Sequence, residues 1–104
     1  MVDANSQFLY VLKAVRPGMV TEGPTPDEAQ VLDEHVGHLN VLAKEGTAIV
    51  FGRTQNADET TFGLVIFEAE SAESAGRIMR LDPAIQKGLM SATLFPFMVA
   101  GARV

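Results

Sequence analysis

The feature that most constrains this fold is that its two clearest strand segments are apolar on both sides. Residues 7–14 and 61–69 are rich in β-branched and aromatic side chains, which favour strands. A strand with one face in solvent alternates apolar with polar residues. In both segments the residues of each face are apolar, so both faces of the sheet are predicted to be covered. The two faces carry Phe8, Tyr10 and Leu12 against Leu9 and Val11 in the first segment, and Phe62, Leu64 and Ile66 against Val65 and Phe67 in the second.

A long amphipathic helix is predicted over residues 26–45. Thr25 is its N-cap, Pro26 is its first residue, Glu28 completes a capping box, and Gly46 ends it. This helix can cover one face of the sheet. At 100° per residue its apolar arc includes one histidine, the members being Val31, Leu32, His35, Val36, Leu39, Leu42 and Ala43.

The remaining elements alternate between strand and helix. Residues 47–53 and 61–69 predict a hairpin, Ser71 caps a second helix, and residues 89–99 predict a last strand. Pro96 inside that strand favours an edge position or a bulge. The order β-α-β-β-α-β predicts an α+β protein with an antiparallel, ferredoxin-like sheet and two helices on one face.

Two helices cover only one face, so the second apolar face needs another covering layer. We expect that layer to be a second copy of the chain, packed through the sheet face as a symmetric homodimer. The alternative is a monomer in which loops and the C-terminal tail fold over this face.

Length and composition narrow the class of protein. A chain of 104 residues predicts a single domain, 1–104, with a thin core. A net charge of −5 repels a phosphate backbone, so we expect no nucleic-acid partner. No apolar run reaches the roughly 20 residues of a spanning helix, and residues 1–7 lack a secretory signal pattern, so we expect no membrane partner and a cytoplasmic location. The absence of cysteine excludes disulfides and thiolate chemistry.

The residues best suited to chemistry are His35 and Asp82. Imidazole exchanges protons near neutral pH, and a carboxylate bonded to one ring nitrogen fixes its tautomer and favours its charged form. Asp82 opens a turn that runs to Gly88, and it can reach His35 if this turn folds back toward the first helix. The alternative is a structural role, in which His35 bonds a backbone carbonyl and Asp82 caps the turn.

Arg16, Arg53 and His38 are weaker candidates. Arg16 opens an ordered loop over residues 16–26 and Arg53 ends the second strand, so either could bind an anionic group of a substrate. The alternative is that both arginines are simply solvated. His38 lies one helical turn after His35, but no third ligand is evident, so no metal site is predicted and a surface position is favoured.

Four segments, taken together, resemble the YciI-related (YCII) family over nearly the whole chain, from Phe8 to Phe97. At compatible spacing the combination is fairly specific. The segments are the strand Phe8-Leu9-Tyr10-Val11, His35 followed by Gly46, the strand Ala48-Ile49-Val50-Phe51 ending at Gly52, and Asp82-Pro83 followed by Gly88 and Pro96-Phe97.

This resemblance implies a ferredoxin-like, dimeric α+β barrel with an active site built on a His-Asp pair, matched here by His35 and Asp82. One family member eliminates chloride from a chlorinated hydroxyhydroquinone, and the fold resembles that of muconolactone isomerase. Both imply proton transfer on a small ring compound without a cofactor. Members often carry proline after the glycine that corresponds to Gly52, where this chain has Arg53, so we expect a different pocket shape.

Three functions follow as hypotheses. The first is a cofactor-free lyase or isomerase for a small cyclic or anionic metabolite, in which His35 is the general acid or base and Asp82 orients it. The second is a non-catalytic dimeric module that binds a small ligand or serves as an accessory domain. The third is a haem-binding or monooxygenase-like barrel protein, with His35 as the iron ligand.

Overall fold

The computed structural model describes residues 6–103, and the prediction about a signal in residues 1–7 falls mostly outside this range. Within it, four strands and four helices follow one another in this order: β1 (Ser6–Ala14), α1 (Gly18–Thr21), α2 (Pro26–Lys44), β2 (Ala48–Arg53), β3 (Gly63–Ala69), α3 (Ala72–Arg80), α4 (Pro83–Gln86) and β4 (Met90–Phe97).

The strands form one antiparallel sheet in the order β2-β3-β1-β4. Because β1 lies between β3 and β4, the chain has the ferredoxin-like arrangement, and the predicted α+β fold class is confirmed. β4 is an edge strand, which suits Pro96 because a proline cannot donate to a further strand. The pairing of β2 with β3 is irregular between Ala48 and Val50, so Ile49 is left out of the register.

The boundaries of α2 follow from its capping residues. The Thr25 side chain accepts a hydrogen bond from the Glu28 backbone N–H, and the Glu28 side chain accepts one from the Thr25 backbone, as the capping box predicts. Pro26 occupies the first turn, where a missing N–H costs nothing. At the other end Gly46 adopts a φ of 85°, a left-handed conformation that glycine reaches without strain.

Two connecting segments differ from the sequence prediction. The loop predicted over residues 16–26 contains the short helix α1, whose Met19 is buried and so anchors the loop to the core. The turn after Asp82 is organised as the short helix α4. Both helices have only four residues, too few for a periodic pattern to be visible in the sequence.

The core lies between the helices and one face of the sheet. Tyr10, Val65 and Phe67 are fully buried at its centre, and Leu39 of α2 and Ala75 of α3 pack against them. The rings of Tyr10 and Phe67 meet edge to face, with their centroids 5.6 Å apart. This packing fixes α2 and α3 on the same face of the sheet.

The opposite face of the sheet is apolar and open. Val50, Phe95 and Phe97 are 51%, 44% and 39% exposed, and Leu9 and Val11 between them are half-buried. Side chains alternate along β1, so Leu9 and Val11 lie on the face away from the helices. Val50, Phe95 and Phe97 of the other strands share this face through the strand pairing. Within residues 6–103, neither a loop nor the C-terminal segment covers these side chains. None of the described helices is long and apolar enough to cross a membrane.

Candidate active site

Asp82 sits at the junction between α3 and α4 and is completely buried. Its backbone is extended, because proline follows it, and its side chain caps α4 by accepting a hydrogen bond from the Ala84 N–H at 3.0 Å. This local cap turns the carboxylate inward. A charge held in the protein interior requires several donors around it.

His35 supplies a second donor from α2. Its Nδ1 lies 2.7 Å from Oδ1 of Asp82, and its side chain is 11% exposed. The turn after α3 therefore does fold back onto the first long helix, and the two residues singled out in the sequence are in direct contact. Whether the pair acts in catalysis remains a prediction at this point.

Tyr10 supplies a third donor from β1, although the sequence pattern identifies it only as one of the apolar residues of that strand. Its hydroxyl donates to Oδ2 of Asp82 at 2.7 Å, and both side chains are fully buried. One signal could have indicated this role. Tyr10 is the only tyrosine of the chain, and a hydroxyl buried in a central strand must find a partner.

The donors determine the charge of Asp82. Burial alone would raise the pKa of this carboxyl, but the hydrogen bonds from His35 and Tyr10 outweigh burial and hold its pKa below the ordinary value. Burial, and then the neighbouring Asp82 charge, raise the pKa of Tyr10 far above its ordinary range, so the phenol stays protonated. Asp82 is thus an anion that only accepts hydrogen bonds.

The tautomer of His35 follows from this charge. Because the Asp82 carboxylate has no proton to give, the proton between the two side chains resides on Nδ1 of His35. In the neutral imidazole Nε2 then carries a lone pair and can accept a proton. The carboxylate thus fixes the orientation and the tautomer of the imidazole, a geometry suited to proton transfer.

A cavity of about 720 Å³ opens beside His35. Its walls come from all four strands, from α1 and α2, and from the segments that follow α1 and β2. They are mostly apolar, with Met19, Leu39 and Phe51 among the lining residues. His35 is part of this wall while its Nδ1 is bonded to Asp82. Nε2 is therefore the ring nitrogen that can meet a molecule in the cavity.

The two predicted arginines lie in different surroundings. Arg53 lines the cavity, and within the described chain it makes no ion pair; its guanidinium reaches only the Thr54 carbonyl, at 3.3 Å. Arg16 does not line the cavity. Its Nε and Nη2 bind the two carboxylate oxygens of Glu28 at 2.8 and 2.6 Å, and this pairing lowers the pKa of Glu28 to about 2.

The sequence favours a surface position for His38, but in the structure this residue is half-buried. Its Nε2 is enclosed without a hydrogen-bond partner among residues 6–103. The same part of the chain holds no group of three His, Asp or Glu side chains arranged to bind a metal ion.

Removing the Tyr10 hydroxyl should destabilise the protein by leaving Oδ2 of a buried anion without a donor. We expect Tyr10→Phe to lower the free energy of unfolding by about 1.5–3 kcal/mol in urea denaturation, since the donor serves a charged acceptor. The matched control is the same substitution in an Asp82→Asn background, where the cost should shrink clearly. An equal cost in both backgrounds would show that the hydroxyl acts independently of Asp82.

The free energy of unfolding should also depend on pH through the titration of Asp82. A carboxyl whose pKa is depressed by folding stabilises the protein above its unfolded-state pKa of about 3.9, and this contribution is lost as the pH falls through the folded value. The stability advantage of the wild type over Asp82→Asn should therefore be complete above about pH 5 and shrink steadily below about pH 4. Parallel stability curves from pH 7 to pH 2 would contradict a depressed pKa.

Several solved structures have a fold similar to that of this chain. A solved 5-chloro-2-hydroxyhydroquinone dehydrochlorinase from Burkholderia phenoliruptrix is similar over 88% of this chain and 93% of its own, with 21% identity and a TM-score of 0.57. An uncharacterised Thermotoga maritima protein is similar over 90% and 99%, with 7% identity and a TM-score of 0.57. A cofactor-independent oxygenase from Streptomyces nogalater is similar over 96% and 97%, with 8% identity and a TM-score of 0.50.

At these identities the solved structures establish the fold alone. No curated protein matches the sequence significantly. The family comparison is more specific, because the model of the YCII-related domain matches residues 8–98, which include most of β1, His35, Asp82 and all of β4. The chain belongs to the YCII-related domain family.

Proposed function

We propose that this protein is a small-molecule enzyme that uses His35 for acid–base chemistry, with Asp82 as the residue that orients it. One observation carries the proposal. The same imidazole is bonded through Nδ1 to a buried carboxylate at 2.7 Å and lines a cavity of about 720 Å³. A purely structural histidine would not need to face such a cavity.

The chemistry best suited to this pair is a proton transfer that starts an elimination or an isomerisation. Nε2 would take a proton from a carbon or hydroxyl group of the substrate, and the imidazolium would return it to the product or to the leaving group. Such a step needs no cofactor. A dehydrochlorinase shares this fold, which supports proposing a lyase of this type, although at 21% identity the likeness extends to the fold alone.

Arg53 is the stronger of the two arginines as a substrate-binding residue. It lines the cavity with its charge unpaired within the described residues, so an anionic group of the substrate would find a partner there. Arg16 would first have to leave Glu28, which holds it through two oxygens. Arg16 also donates to the Gly23 carbonyl, and so it can shape the loop beside the cavity.

A non-catalytic binding module is the second candidate, and one observation favours it. The Asp82 carboxylate has three donors, which would stabilise the fold whether or not a reaction takes place. In this case the cavity would bind a ligand, and His35 would serve only to hold α2 against α4. The two candidates differ in the effect of His35 substitutions on turnover.

His35→Asn should abolish most of the activity without unfolding the protein. The assay is deuterium incorporation from D₂O, followed by proton NMR, into a panel of hydroxylated benzenes and small enolisable acids. We expect the rate on any compound exchanged by the wild type to fall about 10²–10⁴-fold, the usual contribution of a general acid–base group. His38→Asn is the matched control on the same helix and should retain the rate. An undiminished rate in His35→Asn would refute the assignment.

The tautomer of His35 gives a test that needs no substrate. Nitrogen-15 NMR of the imidazole should show a protonated Nδ1 and an unprotonated Nε2 in the neutral side chain, and Asp82→Asn should weaken this preference. A protonated Nε2 in the wild type would mean that His35 cannot act as a base toward the cavity.

We also propose that the open sheet face is covered by a second copy of the chain. The exposed side chains of Val50, Phe95 and Phe97 lie on this face. Lys13 and Glu68 lie on it near opposite ends of β1 and β3. If the strands of the two copies run in opposite directions, each lysine approaches the partner's glutamate, which favours a two-fold arrangement.

A charge on the open face should separate the proposed dimer. We expect the wild type to sediment at twice the mass of one chain, and Phe95→Asp to sediment as a monomer, because it would bury an unpaired carboxylate in the interface. Val41→Asp is the control, since Val41 is 53% exposed on α2, away from the sheet. A monomeric wild type at micromolar concentration would contradict the proposal.

A further inference from the structure

The size of the cavity beside His35 exceeds what a single ring requires. An apolar cavity of about 150 Å³ is enough to hold benzene, whereas this one measures about 720 Å³ and falls among sites for much larger ligands. A one-ring molecule would leave most of the apolar wall in contact with water. The cavity therefore fits an occupant several times larger than benzene.

The apolar wall continues to the opening of the cavity. Val36 of α2 and Phe62, which precedes β3, both line the cavity and are 48% and 38% exposed. Neither contributes to the core cluster. Exposed apolar side chains that line a cavity gain stability when an apolar molecule covers them, so the opening also favours an extended hydrophobic occupant.

The charge of the cavity is opposite to the charge of the protein. The chain has a net charge of −5, yet no aspartate or glutamate is among the described residues that line the cavity, and Arg53 is the one full cation there. Its charge is not neutralised by an ion pair within residues 6–103, in contrast to that of Arg16. The wall thus offers one binding point for one negative group.

From these observations we infer that the site binds an extended apolar monoanion, larger than one six-membered ring, with its anionic group at Arg53 and its apolar body along the wall that leads to His35. The inference rests on the proposed function in taking this cavity as the substrate site. It adds the class of ligand. An uncharged ligand would leave the exposed Arg53 paired only with water, and a small one would leave Val36 and Phe62 uncovered.

Three probes of known chemistry test this inference: 2-naphthoate, benzoate and the uncharged 2-naphthalenemethanol. Each is titrated into the nitrogen-15-labelled full chain by NMR, which reports both affinity and location. We expect 2-naphthoate to shift amides around Phe51 and Phe62 and to bind about tenfold more tightly than benzoate, because the second ring buries more apolar surface. Equal affinities, or shifts confined to the open sheet face, would overturn the inference.

The charge requirement is tested with Arg53→Gln and a matched control, Arg80→Gln. Arg80 is an exposed arginine of α3, an element that does not line the cavity. Arg53→Gln should weaken 2-naphthoate about fivefold or more and leave 2-naphthalenemethanol unchanged, since only the anion loses a charge-assisted hydrogen bond. Arg80→Gln should alter neither. Equal losses for both probes, or no loss for 2-naphthoate, would overturn the role of Arg53.

These experiments distinguish an error in the ligand class from an error in the proposed function. If 2-naphthoate binds as expected while His35→Asn retains wild-type turnover, the proposed function is wrong and the ligand class stands. If the His35 prediction holds while benzoate binds as tightly as 2-naphthoate, the ligand class is wrong and the acid–base assignment stands.

Discussion

One buried negative charge connects the fold with the site. The Asp82 carboxylate is inaccessible to water and accepts hydrogen bonds from Tyr10 of β1, His35 of α2 and Ala84 of α4. An unpaired carboxylate in this position would be strongly destabilising, because its lost hydration would not be replaced. The sheet, the long helix and the short helix must therefore meet in one arrangement to satisfy it.

The same face of the sheet serves two purposes along its length. Near Phe8 and Ala69 it packs against α3 and is closed, whereas near Phe51 and Met90 it forms the wall of the cavity. His35 lies between these two regions, since its Nδ1 is bonded to the buried Asp82 and its ring also lines the cavity. A rigid imidazole beside an unfilled space is the combination that general acid–base chemistry requires, since the base must keep its orientation while ligands come and go.

Much of the fold could be predicted from local signals. The capping box of Thr25 and Glu28 and the two-sided apolar strands indicate α2 and the sheet directly, because each signal lies within a few neighbouring residues. The contact between His35 and Asp82 could not be predicted outright, because the two residues are 47 positions apart and meet only if the turn after α3 folds back onto α2. Tyr10 was missed because a tyrosine in an apolar strand gives the same pattern whether or not its hydroxyl has a partner. The pairing of Arg16 with Glu28 likewise joins residues whose spacing carries no signal.

The position of Tyr10 makes the site sensitive to the pairing of the central strand. Tyr10 lies opposite Val65 on one side and Leu94 on the other, so its hydroxyl reaches Asp82 only when β1 is in this register with both neighbours. A slip of one residue would turn Tyr10 to the open face and bring Leu9 or Val11 beneath the carboxylate. The buried anion thus discriminates against mispaired sheets, and the hydrogen bonds around it select the native alignment of β1.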